Sequence, residues 1–208
     1  MTKPTFRYYL ITDRKKCVPR VLPDLVEEAC RSGIRAVQLR EKDLNGRSLY
    51  LLAKELRTIT ARWNTKLFIN DRVDIALAVE ADGVHCRETS IPPAKIKKMN
   101  TSLRLGASVH SLESAEEAQK RGADFLLFGP VFHTISKAKY GDPQGIENLK
   151  RIVESVKISV YAVGGITPER AQSCLEAGAF GVAGISSIME ADSVADKVGE
   201  WKDLIGAL

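Results

Sequence analysis

Nothing in this 208-residue chain approaches the roughly 20 consecutive apolar residues of a membrane-spanning helix, and no apolar signal core precedes the first charged stretch. Those absences exclude a helical membrane protein and make the cytoplasm the expected location. Cysteine is sparse. Cys17, Cys30, Cys86 and Cys174 stand far apart with no CxxC pair, so they read as reduced, mostly buried thiols, none of them in the setting of a nucleophile. The chain also lacks any dense basic block interleaved with aromatics. Its 31 Lys and Arg are intermixed with 26 Asp and Glu, and the net charge of +5 describes a solvated surface better than a nucleic-acid groove. Small anionic molecules remain compatible with that charge. Composition does not shift along the chain, so residues 1–208 are read as one domain.

What is present is an alternation of short β-rich runs and amphipathic segments. Strand-like runs fall at Arg7 to Thr12, Ala36 to Leu39, Lys66 to Ile69 and Asp82 to His85. They continue at Arg104 to Ser108, Phe125 to Phe128, Val160 to Val163 and Gly181 to Gly184. A helical segment follows each one, the clearest being Leu22 to Ser32, stopped by Gly33, and Pro168 to Ala177, opened by Thr167 with Pro168 as its first helical residue. Eight apolar strands, each followed by a helix, predict parallel strands covered on the outside. A single (β/α)₈ barrel fits that count. The rival, an open doubly wound sheet, lacks a GxGxxG after the first strand. The connection from Pro130 to Gly145 is the longest and reads as a lid.

In such a barrel the chemistry lies just after the strands. Gln38, Arg40 and Lys42 alternate along an extended backbone and can all face the mouth, where a guanidinium fork and an ammonium suit a diphosphate. The competing reading pairs the two cations with Glu41 or Asp43 on the rim. Asn70 and Asp71 end the third strand. Asp71 could take Mg²⁺ as a hard oxygen ligand while Asn70 donates to phosphate, or the two could simply cap the next helix. Gly164 and Gly165 after the seventh strand, and Gly184 to Ser187 after the eighth, occupy the usual phosphate cradle of a barrel. Thr134, Ser136 and Lys137 could close over a phosphorylated substrate, and against that stands an ordinary solvated loop. His85 and His110 have no metal-ligand spacing and read as orienting residues, while His133 is ambiguous.

In order along the chain, YLITD, VQLREK, FINDRVDIALAVEADGVH, LGASVH, GADFLLFGPVFHTISK, YAVGGIT and GVAGISSI resemble the thiamin phosphate synthase/TenI family. These stretches run from the first strand to the eighth, so the resemblance spans essentially the whole chain. It implies a (β/α)₈ barrel that joins hydroxymethylpyrimidine diphosphate to a thiazole phosphate and releases diphosphate with Mg²⁺ assistance. By its motifs Arg40, Lys42, Asn70, Ser108 and Lys137 would grip diphosphate, Gln38 would touch the pyrimidine, and Asp71 would bind magnesium. Thr134, Ser136, Gly165, Ser186 and Ile188 would line the thiazole phosphate site. The resemblance also exposes departures. Synthases carry a GQED-like segment after the fourth strand whose last Asp is a second magnesium ligand; here the segment reads HCRETS, with Ser90 at that position and Glu88 the carboxylate that could substitute. TenI-type thiazole tautomerases place a catalytic His at the proline of GPVF; here that residue is Pro130, with His133 three residues on. The synthase is the leading expectation. A metal-free tautomerase using His133 as base, and a catalytically silent barrel that binds thiamin phosphates, are the alternatives. Homo-oligomerisation is left open by the sequence.

Overall fold

The computed structural model describes residues 3–134 and 142–206. Eight parallel strands close into a barrel in chain order: β1 (Tyr8–Ile11), β2 (Ala36–Leu39), β3 (Lys66–Asn70), β4 (Gly83–Cys86), β5 (Arg104–Val109), β6 (Phe125–Phe128), β7 (Ser159–Val163) and β8 (Gly181–Gly184). The last pairs with the first through Tyr8↔Val182 and Leu10↔Gly184. Around them lie α1 (Leu22–Ser32), α2 (Gly46–Arg62), α3 (Val73–Ala78), α4 (Pro93–Met99), α5 (Leu112–Lys120), α6 (Gly145–Ser155), α7 (Pro168–Glu176), α8 (Ser186–Met189) and α9 (Val194–Ile205). The expected (β/α)₈ barrel is therefore the observed fold.

Helix α1 shows why the periodicity was readable. It buries Leu22, Leu25, Val26, Ala29 and Cys30, the i, i+3, i+4, i+7, i+8 stripe of a helix lying on an apolar layer. Its end is set by Gly33, whose φ of 129° lies where a side chain is disfavoured, and whose N–H closes on Ala29 and Cys30.

The bore is solid. Inward positions carry large rings on some strands and almost nothing on their neighbours: Tyr9, Phe68, Phe125 and Tyr161 face Ala36, Gly83, Gly106 and Gly181. A β-carbon at Gly106 would lie 2.5 Å from the Phe125 ring and 2.6 Å from His85 Nδ1, and one at Gly181 would lie 2.9 Å from Tyr161. The ring edges thus fill the volume that the glycines leave, with Phe6 closing the lower end against Tyr161 at a centroid distance of 5.3 Å.

Strand β4 starts at Gly83 rather than at the expected Asp82, for a physical reason. The Asp82 carboxylate turns to accept Leu67 N–H (3.0 Å) and ion-pairs with Arg57 (2.6 Å) and Lys66 (2.9 Å). Asp124 repeats the device before β6, accepting Leu105 N–H (2.7 Å) and pairing with Lys97 (2.8 Å). Both clamps lie at the amino ends of the strands, where barrel residues serve stability.

Candidate active site

At the carboxyl ends the backbone continues to pair beyond the strands, which fixes the loop entrances. Thr12 N–H donates to Gln38 O and Asp71 N–H to His85 O, each at 2.9 Å. Glu41 is drawn inward by this arrangement. It accepts the Thr12 hydroxyl at 2.7 Å and both the backbone and guanidinium of Arg14, whose other arm grips Asp43. Lys15 also reaches Asp43. The two rim carboxylates after β2 therefore take charge partners from the turn that follows β1, a turn (Arg14–Lys16) the periodicity did not reveal.

Gln38 is buried in the bore and donates its amide to the Tyr9 hydroxyl at 3.3 Å. Arg40 follows, its N–H held by Thr12 Oγ1 at 3.0 Å. Its positive charge is felt by His85 across the mouth, and that of exposed Lys42 by Asp71.

His85 and Ser108 face each other from adjacent strands, with Nε2 and Oγ 2.9 Å apart. Burial, reinforced by the charge of Arg40, pushes the imidazole down to about 3, so it is neutral at any physiological pH. Its Nδ1 is buried without a hydrogen-bond partner among the described residues. His85 is thus placed to orient Ser108 as a neutral ring. Asn70, half-buried at the end of β3, is in register with His85.

The Asn70-Asp71 pair does not cap the following helix: the cap position of α3 is Arg72, and no side chain makes the capping bond. Asp71 instead holds a left-handed backbone (φ 66°), which aims its carboxylate at the loop after β4. One oxygen accepts the Ser90 hydroxyl and the other the Arg87 guanidinium. Burial alone would raise the Asp71 carboxyl; the bonds from Ser90 and Arg87, with the charges of Arg87 and Lys42, outweigh it and leave the carboxyl below its ordinary range.

These residues do not fit a magnesium ion. Both Asp71 oxygens are engaged, the position of the second carboxylate is Ser90, and Glu88 is exposed. Among the described residues no group of three His, Cys, Asp or Glu is arranged to hold a metal, so an ion here would have Asp71 as its protein ligand and would have to displace Ser90 or Arg87 from it. Asp71, expected to bind a metal together with Glu88, is engaged here by Arg87 and Ser90. The residue overlooked in the sequence is Arg87, whose signal was a cation opening the very loop that departs from the family pattern.

On the other side of the mouth Val131 and Phe132 donate to Val163 O and Gly164 O, stitching the loop after β6 onto the one after β7. Gly164 and Gly165 have φ of 94° and 66°. A β-carbon on Gly165 would sit 2.6 Å from His133 O, so this approach requires glycine. His133 is exposed and Thr134 half-buried; Ser136 and Lys137, with most of the expected lid, lie outside the described residues. Ser186 opens α8 and is exposed. Ile188 is otherwise placed. Its side chain is fully buried in the outer core and its N–H bonds Ile185 O, because the single turn of α8 rotates it away from the mouth. The four cysteines are free and buried, and burial raises their thiols, to about 12 at Cys86, which leaves no thiolate nucleophile.

Comparison with known proteins places this geometry. Residues 8–188 match the family model described as thiamine monophosphate synthase. A putative thiamine-phosphate synthase 2 of Aquifex aeolicus is 51% identical over 88% of this chain and 98% of its own length. The thiamine-phosphate synthase of Clostridium acetobutylicum is 39% identical over 99% of this chain and 97% of its own. Among solved structures, a thiamine phosphate pyrophosphorylase from Pyrococcus furiosus superposes with a TM-score of 0.87 at 40% identity, covering 96% of this chain and 95% of that one. With a family match across most of its length and relatives of this identity at nearly full coverage, this chain belongs to the thiamine monophosphate synthase family.

Proposed function

We propose that this protein is a thiamine-phosphate synthase, a transferase that couples hydroxymethylpyrimidine diphosphate to thiazole phosphate and releases diphosphate. The observation that carries the reading is the division of one barrel mouth into two sectors of different chemistry. Arg40 and Lys42 follow β2, and Asn70 and Ser108 lie at the carboxyl ends of β3 and β5, while glycine backbone and the exposed Ser186 follow β7 and β8. A diphosphate suits the first sector and a phosphate monoester the second. Lys137, by its place in the motif, would add a cation from the loop after β6.

Each group then has a task. The C–O bond to diphosphate breaks with its electron pair going to the leaving oxygen, and the thiazole nitrogen lone pair forms the new C–N bond. Charge building on the diphosphate is stabilised by cations and hydroxyl donors fixed beforehand, worth most where water is excluded. Neutral His85 holds Ser108; with its proton on Nε2 it donates to Oγ and leaves the hydroxyl proton for a diphosphate oxygen. Gln38, buried on the bore floor, would hold the pyrimidine edge. No side-chain nucleophile is needed, which accords with the buried thiols. No helix among the described residues is long and apolar enough to cross a membrane; with the free thiols, this supports the cytoplasm as the place of work.

The test is direct. Purified protein with both phosphorylated precursors and MgCl₂ should form thiamin phosphate and diphosphate in equal amounts, followed by chromatography. Intact precursors after prolonged incubation would remove the reading.

A further inference from the structure

The loop after β4 is latched in an unusual way. Ser90 Oγ accepts Arg87 N–H at 2.7 Å and donates to one Asp71 oxygen, while the Arg87 guanidinium takes the other. Three residues thus form a closed ring of contacts at the edge of the anion-binding mouth. We propose that Arg87 is a diphosphate-binding residue, its guanidinium supplying there the positive charge that a magnesium ion would otherwise bring. The inference rests on the synthase reading above and adds a residue to its binding site.

Electrostatics makes the argument. An uncompensated Asp71 would repel an arriving diphosphate, since like charges at contact distance near a protein surface are only partly screened. The bond from Arg87 cancels that charge. The balance is also conserved: two carboxylates with a divalent ion sum to zero, and so does one carboxylate with one guanidinium once Ser90 stands in the second position. Geometry agrees, because the Arg87 side chain is 45% exposed and Asp71 takes one Nη, leaving further N–H donors of the planar fork beyond that contact. Lys42, whose charge also acts on Asp71, flanks the same point. Stability alone is a poor reason for such a pair, since ion pairs this exposed contribute little to folding.

Calorimetric titration of inorganic diphosphate into the full-length protein tests the proposal, in EDTA and in MgCl₂, with wild type, Arg87→Gln, Arg87→Lys and the remote Arg121→Gln. Wild type should bind diphosphate in EDTA. Arg87→Gln should weaken that binding about tenfold or more, as expected for a lost charge-assisted contact. Arg87→Lys should recover part of it, and Arg121→Gln none should be lost. Thermal melting confirms that each variant is folded. Binding seen only with MgCl₂ and indifferent to Arg87→Gln overturns the proposal, as does a gain of magnesium-dependent affinity in Arg87→Gln, which would make Arg87 an obstacle to metal. The synthesis assay is scored separately: metal-free diphosphate binding that depends on Arg87, without joining of the precursors, supports the anion grip and rejects the synthase reading.

Discussion

His85 Nε2 and Ser108 Oγ lie 2.9 Å apart across adjacent strands, and the imidazole that makes this contact is pushed down to about 3. A histidine whose folded value lies below its unfolded value of about 6.5 binds fewer protons when folded. Its contribution to stability is therefore complete above pH 6.5 and is lost as pH falls toward 3. Each pH unit in that window removes up to about 1.4 kcal/mol. Urea denaturation at pH 7 and pH 4.5 should show this slope, and the His85 ring resonances should stay still between pH 8 and 5. A ring titrating near 6.5 would refute the neutral orienting role.

Gly165→Ala should damage one substrate sector selectively. A methyl group would strike His133 O and the Phe132 β-carbon while forcing a side chain into φ 66°. The expected result is a KM for thiazole phosphate raised about tenfold or more with little change for the pyrimidine diphosphate, measured by varying each substrate in turn. An equal effect on both would mean that the two sectors are not separate.

Asp82→Asn should do the opposite, lowering stability and sparing chemistry. It removes the charge that Arg57 and Lys66 share and weakens the bond to Leu67 N–H. Because the two cations are partly exposed, a loss of about 1–3 kcal/mol is expected, read from denaturant midpoints. Steady-state constants at a temperature where the variant is folded should match wild type.

The barrel was legible because its signals are local and repeated. The stripe of α1 and the run FLLF of β6 each declare burial on the face that the structure buries. Arg40, Lys42 and Ser108 could be singled out from the sequence because alternation along a strand sets which way residues near its end point. What was hidden depends on loops meeting across the mouth. Arg14 reaching Glu41, and Arg87 reaching Asp71, join residues 27 and 16 positions apart through turns that no periodicity encodes. The burial of the Ile188 side chain was hidden for the same reason. One unforeseen turn of helix after β8 rotates it into the core, whereas its neighbour Ser186 stays at the surface.

The rings of Phe6, Tyr9, Phe68, Phe125 and Tyr161 make the barrel a vessel with a single opening. Traffic then runs through one doorway, and the guest seated deepest has to arrive first. Gln38, on the floor beside Tyr9, belongs to the pyrimidine in the proposed scheme, so the pyrimidine diphosphate enters before its partner. Crowding by the late-arriving thiazole phosphate should then appear as inhibition at high concentration, a queue imposed by architecture and independent of any moving part.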